Sequence, residues 1–208
     1  MNNIKNGPLY TILKTVVGPI IKLIFNFKVT GLENIPQNDG FILCSNHTHF
    51  MDVVFLVIYF KRHIKFMAKQ ELFVKPFPRW FVTNMGAFPV TRGAGTGSTI
   101  ALKTAEDIVK SGGVMGIFPE GTRSKDGKPK KAKSGVALIA SETNAPVLPV
   151  SIYYEGKLKL FKKITLRIGT PITAETLKMQ SQDRNELRRV SSLIMDNIVK
   201  QWGLGHCK

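Results

Sequence analysis

The sequence predicts an α/β domain: a largely parallel central sheet flanked by helices, preceded by an N-terminal amphipathic helical segment. Three observations lead there. Short apolar runs of strand length alternate with longer segments of helical spacing, the mark of strand–helix–strand units. Apolar residues make up 43% of the 208, enough for the core of one large domain. The first 26 residues differ from the rest, because apolar side chains dominate there with lysines set among them. The expected division is therefore a helical segment over 1–26 and an α/β domain over 27–208.

Residues 8–27 read as helical with a break at Gly18-Pro19, since proline removes a donor and crowds the preceding turn. Two readings of this segment stand side by side: a helix packed on the core, or an in-plane membrane helix with snorkelling lysines. Residues 27–33 read as an edge strand, 41–45 as a buried strand and 50–60 as a buried helix. A further strand is expected over 63–68. Residues 71–81 read as irregular because of Pro76 and Pro78; their aromatics suit a core, or a membrane interface beside basic residues. Then come a strand over 87–91, a helix capped by Ser98 and closed by Gly112-Gly113, and a strand over 114–118. A basic loop over 119–133 leads to a helix over 135–142 and strands over 147–154 and 164–168. Asp183 and Glu186 form a capping box for a last helix running to about Trp202.

Lys and Arg outnumber Asp and Glu by 30 to 14, for a formal charge of +16. That excess points to an anionic partner: nucleic acid, an anionic membrane surface, or an acidic protein or substrate. Cys44 and Cys207 are far apart and lack metal spacing, which suits a reducing compartment better than a disulfide scaffold. No signal peptide is expected. No transmembrane helix is expected either, because Lys14, Gly18-Pro19 and Lys22 interrupt the best apolar stretch.

The chemistry concentrates at Ser45-Asn46-His47-Thr48-His49-Phe50-Met51-Asp52, where a strand hands over to a helix. Sites in α/β folds are commonly built at such carboxyl ends of strands. On one helix, His47 and Asp52 would point about 140° apart. They meet only if His47 lies in the loop, with Thr48 a candidate N-cap, and Asp52 lies in the first turn. An imidazole so held has a fixed tautomer and one free nitrogen, the arrangement of a general base. Taken alone, so short a pattern is better read as a surface histidine and a first-turn aspartate. No protein nucleophile stands out: Cys44 ends an apolar strand, and Ser45 lacks the glycines of a nucleophile elbow. The histidine would then act on a substrate hydroxyl. A second cluster, Phe118-Pro119-Glu120-Gly121-Thr122-Arg123-Ser124, follows a strand and offers donors suited to phosphate. Arg92 follows another strand, so the three positions suggest a shared anion pocket.

Asn46-His47-Thr48-His49-Phe50-Met51-Asp52 resembles the NHx4D block of glycerolipid acyltransferases. Gly86-Ala87-Phe88-Pro89-Val90-Thr91-Arg92 is similar to their second block, although Thr91 stands where many members carry an acidic residue. Phe118 to Ser124 resembles the third block and Val147-Leu148-Pro149-Val150 the fourth. All four occur in order, and the bacterial 1-acyl-sn-glycerol-3-phosphate acyltransferases are the most similar group. The resemblance implies acyl transfer from acyl-acyl carrier protein or acyl-coenzyme A to lysophosphatidate, with His47 and Asp52 catalytic. It implies Arg92 and Arg123 on the acceptor phosphate, Glu120, Gly121 and Thr122 shaping that site, and Lys69 as a further candidate. No metal or cofactor is implied, and His49 is expected to be structural or to line the pocket. A lysolipid acceptor favours the interfacial reading of residues 1–26 and a peripheral or monotopic place on the cytoplasmic face of the cell membrane. The alternatives are a different acceptor (glycerol 3-phosphate or another lysophospholipid), a thioester hydrolase using Cys44 or Ser45, and a basic binding module for lipid or nucleic acid.

Overall fold

The computed structural model describes residues 8–90 and 96–207. Seven strands form one sheet: β1 (Asn26–Thr30), β2 (Phe41–Ser45), β3 (Ile64–Lys69), β4 (Phe88–Val90), β5 (Val114–Ile117), β6 (Val147–Tyr153) and β7 (Lys163–Ile168). Their order is β1-β7-β6-β2-β5-β3-β4. Every pairing is parallel except β6 with β7, so β1 and β7 run against the other five.

The central strands are apolar on both faces because both faces are covered. In β2, Phe41 and Leu43 enter one core, while Ile42 and Cys44 enter the other. The first core lies under α3 (Met51–Tyr59) and the N-terminal helix and includes Phe55, Leu56 and Ile64. The second lies under α5 (Thr96–Lys110), α6 (Gly135–Thr143) and α8 (Arg184–Gly203) and includes Met115, Ile139 and Ile194. Gly116 lets β3 side chains cross β5 closely: a Cβ there would meet Ile64 and Phe66 at 2.6 Å.

Several local expectations change. Gly18-Pro19 does not break the N-terminal helix. Helix α1 (Pro8–Ile12) passes into a π-helical turn (Leu13–Val17) and on into α2 (Gly18–Ile24). Gly18 N–H reaches back five residues to the Leu13 carbonyl, and Pro19 falls in the first turn of α2, where its missing donor is not needed. Tyr10, Leu13 and Ile21 bury the inner face, and the Tyr10 hydroxyl accepts from Ile64 N–H at 3.2 Å. Burial pushes that phenol up to about 12. Ile12, Val16, Ile20 and Leu23 point outward and stay exposed. Among the described residues, no helix is long and apolar enough to cross a membrane.

Residues 70–84 are not irregular. A 3₁₀ turn (Gln70–Phe73) leads to α4 (Pro76–Asn84), which takes Pro76 at its start. Phe77 and Trp80 are exposed and stacked on one another, so a core reading does not hold for them. Ser98 lies inside α5 rather than at its cap. Asp183 does cap α8, accepting from Asn185 and Glu186 N–H, but Glu186 turns to Gln180 N–H and Arg189 instead of closing a capping box. The short helix α7 (Ala174–Leu177), capped by Thr173, is an element the sequence reading lacks.

Candidate active site

His47 sits two residues beyond β2, in a loop held from both sides. Just before it, the Asn46 amide donates to Ile152 O at 2.9 Å and accepts Ile152 N–H at 2.8 Å, extending the β2–β6 pairing with a side chain. His47 N–H donates to Glu120 Oε1 at 2.8 Å, and its carbonyl accepts Ser124 N–H at 2.8 Å. The imidazole lies on the Phe118 ring, 4.0 Å between centroids and 16° from parallel. Phe118 in turn stacks on Phe66 at 5.7 Å. The ring of His47 can neither tilt freely nor slide away from its partner.

That partner is Asp52, in the first turn of α3. Its carboxylate is fully buried, and Oδ2 lies 2.9 Å from His47 Nδ1. The same oxygen accepts Thr48 N–H at 2.7 Å and His49 N–H at 2.8 Å. Asp52 therefore does the work expected of Thr48, and the N-cap position itself, Phe50, makes no side-chain bond. An acceptor already holding two amide protons places the shared imidazole proton on Nδ1, which leaves Nε2 with a free lone pair. The Thr48 hydroxyl turns to Tyr154 OH, whose burial pushes it up to about 12. His49 Nδ1 accepts Met51 N–H at 3.3 Å and its ring packs on Phe50. Burial lowers its pKa, consistent with a neutral acceptor in the helix start.

His47 lines a cavity of about 1150 Å³. Part of its lining is apolar, with Phe66, Met67, Phe81, Val82 and Met85. Lys69, Lys75, Arg123, Lys125 and Lys133 line it as well. Gly121 and Thr122 also face it, and Gly121 has φ +69°, a conformation that favours glycine. The volume lies above the ~300–1,000 Å³ typical of a site for one small ligand.

Glu120 stands behind this lining rather than in it. It is 3% exposed; Oε1 accepts His47 N–H and Oε2 accepts Lys130 N–H at 3.1 Å. Burial pushes its carboxyl up to about 7, against the pull of those two amides. It clips the basic loop to the histidine loop and so shapes the site from beneath. Arg92 lies outside the described residues. Cys44 and Ser45 are fully buried and neither lines the cavity; burial pushes the Cys44 thiol well up, away from the reactive thiolate. Among the described residues no cluster of three or more His, Cys, Asp or Glu side chains could hold a metal ion.

A family model described as Acyltransferase matches residues 26–153, more than half of the chain. The chain belongs to the acyltransferase family. A 1-acyl-sn-glycerol-3-phosphate acyltransferase of Bacillus subtilis is 33% identical over 183 residues, 85% of this chain and 89% of that protein. A chloroplast 1-acyl-sn-glycerol-3-phosphate acyltransferase of Brassica napus is 36% identical over 131 residues, 62% of this chain; the match spans only 38% of that longer protein. The crystal structure of the 1-acyl-sn-glycerophosphate acyltransferase PlsC from Thermotoga maritima superimposes with a TM-score of 0.71 at 27% identity, covering 96% of this chain and 82% of that one.

The matched segment of this acyltransferase ends at Tyr153, so it holds both the His47 loop and the Glu120 loop. Several contributors escape a motif reading. Tyr154 and Ile152 reach the histidine loop across 106 residues, and nothing local marks them. Phe118 enters a motif reading only as the first residue of its block, yet it carries the imidazole. The apolar side chains that α4 adds to the cavity are hidden because residues 71–81 read as irregular.

Proposed function

We propose that this acyltransferase moves a fatty acyl group from an acyl thioester to the free hydroxyl of lysophosphatidate, giving phosphatidate in phospholipid biosynthesis. One observation carries the reading: the His47–Asp52 pair opens onto a cavity lined by both apolar and basic side chains. An acyl chain suits the first and a phosphate monoester the second.

His47 Nε2 takes the proton of the acceptor hydroxyl as its oxygen attacks the thioester carbonyl. Asp52 holds the resulting imidazolium from the Nδ1 side. The tetrahedral intermediate collapses with loss of the C–S bond, and His47 returns the proton to the departing thiolate. General base catalysis of this kind contributes roughly 10²–10⁴-fold, and positioning adds much of the rest. Arg123 and Arg92 hold the acceptor phosphate, Lys69 is a further candidate for it, and Glu120, Gly121 and Thr122 shape that site. The burial of Cys44 and Ser45 speaks against a hydrolase with a covalent acyl-enzyme. The reaction calls for no metal or cofactor; the donor is acyl-acyl carrier protein or acyl-coenzyme A, both anionic and suited to a chain of formal charge +16. Nucleic acid is not the expected partner, because Arg123 and several lysines line a cavity together with apolar side chains.

Residues 1–26 are the membrane-contacting part, seated on the cytoplasmic face of the cell membrane, and 27–208 are the catalytic domain. The outward Ile12, Val16, Ile20 and Leu23 supply an apolar face for in-plane contact. A panel of acceptors and donors on purified protein tests the whole reading. Phosphatidate should form from lysophosphatidate and an acyl thioester far faster than any product from glycerol 3-phosphate or a lysophospholipid lacking the phosphate monoester. Equal rates on an uncharged acceptor would contradict it.

A further inference from the structure

We propose that the loop joining β6 to β7 is a membrane wedge: Leu160 and Phe161 enter an anionic bilayer surface while the surrounding lysines hold its headgroups. This gives the chain a second lipid contact, separate from its N-terminal helix.

The loop starts at Tyr154 and ends at Lys162. At its tip Leu160 is 67% exposed and Phe161 is 77% exposed. Phe161 also has φ +63°, a conformation that a bulky aromatic rarely adopts. Gly156 meets the same demand in the same loop with φ +62° and no side chain to strain. A large ring held strained and in water has no packing reason at this position, and such outliers point to function. Lys157, Lys159, Lys162 and Lys163 surround the tip, against a single acidic residue, Glu155.

The tip is not isolated. A groove of about 440 Å³ joins Phe161 to Lys22, Leu23, Phe27 and Tyr59. Leu23, at 86%, is the most exposed large apolar residue among those described. Asn26 N–H donates to Lys162 O at 3.2 Å, and Lys22 Nζ lies 4.5 Å above the Tyr59 ring. Two apolar tips, one from α2 and one from the loop, thus flank one groove with cations at its edge. From there the outward face of the helical run Pro8–Ile24, roughly 25 Å long at 1.5 Å per residue, leads to α4, against which α1 packs. On α4 the exposed Phe77 lines the catalytic cavity. The wedge and Phe77 thus lie toward opposite ends of the helical run, with Ile12, Val16, Ile20 and Leu23 exposed along it. The base of the wedge is tied to the chemistry, because Tyr154 bonds Thr48 in the histidine loop.

Lipid is the occupant this chemistry fits. Apolar tips ringed by lysines match an interface where hydrocarbon lies just beneath anionic headgroups. A second copy of the chain would set one lysine ring against another. The inference rests on the reading of a bilayer-resident acceptor only for its purpose, since vesicle binding is measured without turnover and the two can fail separately.

The test is co-sedimentation of the full chain with vesicles of phosphatidylcholine and phosphatidylglycerol, and with phosphatidylcholine alone. The double variant Leu160→Ser, Phe161→Gly should bind mixed vesicles on the order of tenfold more weakly. Its thermal stability should stay level or rise, because glycine relaxes the φ at 161. Lys157→Gln with Lys159→Gln should weaken binding to mixed vesicles by about tenfold or more and leave neutral vesicles unaffected. The fluorescence of Phe161→Trp should shift to the blue on adding mixed vesicles, beyond any shift of the parent. Parent-like affinity of the Leu160, Phe161 variant, or no added shift at position 161, would overturn the proposal. So would loss of self-association in that variant with vesicle binding intact.

Discussion

The two loops that meet at the site, one around His47 and the other the basic loop after β5, are built on opposite plans. The histidine side is fixed by short hydrogen bonds: Asp52 Oδ2 takes three donors, His47 is bonded through its own N–H and carbonyl, and its ring is stacked on Phe118. The basic side is a loop whose backbone is tied down, through Lys130 N–H to Glu120 and Lys133 N–H to Pro119, while Arg123 and Lys125 extend exposed side chains from it. Proton transfer needs sub-ångström placement, and a diffuse phosphate charge does not. Changes in the first loop should therefore show in turnover and changes in the second in affinity.

Four variants test that contrast, the largest effect first. His47→Ala removes the base, so kcat should fall roughly 10²–10⁴-fold with acceptor KM little changed. Asp52→Asn comes next. The amide still accepts from Thr48 and His49 but no longer stabilises an imidazolium, so kcat should drop on the order of 10²-fold or more. A KM-dominated loss in either variant would break the contrast. Arg123→Ala should raise the KM for lysophosphatidate about tenfold, the scale of one hydrogen bond to a charged group, with a smaller change in kcat. A kcat-dominated loss would move Arg123 to the chemical step.

The fourth and smallest effect concerns Glu120, where the two loops join. Its folded pKa, about 7, lies above the ordinary 4.5 because burial penalises the charge. A raised carboxyl pKa means the folded state holds its proton longer than the unfolded chain does. The contribution of this group to stability is then greatest below pH 4.5 and declines as pH rises through about 7. The difference in melting temperature between the parent and Glu120→Gln should accordingly shift against the parent from pH 4.5 to pH 7.5. A difference that is flat across that window would show that the carboxyl stays ionised throughout.

Legibility in the sequence followed the range of the interactions. Strand β2 and helix α3 were readable because their apolar runs and the five-residue spacing of His47 and Asp52 are local. The spacing alone forced His47 off the helix, and the 2.9 Å contact to Asp52 agrees. The N-terminal helix was misjudged at Gly18-Pro19, since a π-turn that absorbs a proline depends on packing against Ile58, which a Cβ on Gly18 would meet at 3.1 Å. Glu120 is expected from its motif to shape the phosphate site, but how it does so is not legible there. Its partner, His47 N–H, lies 73 residues away and becomes adjacent only when β2 and β5 pair. Tyr154 reaches Thr48 through the β2–β6 pairing in the same way. Sheet order, which no local pattern states, decides such contacts.

The most direct test of the account is thiol release from an acyl thioester, followed with and without lysophosphatidate. His47 is held to act on the acceptor hydroxyl, with no protein nucleophile between donor and acceptor. Release should therefore require lysophosphatidate, match phosphatidate formed mole for mole, and vanish in His47→Ala. Thiol release at a comparable rate without acceptor, or an acyl group retained on the protein, would contradict it.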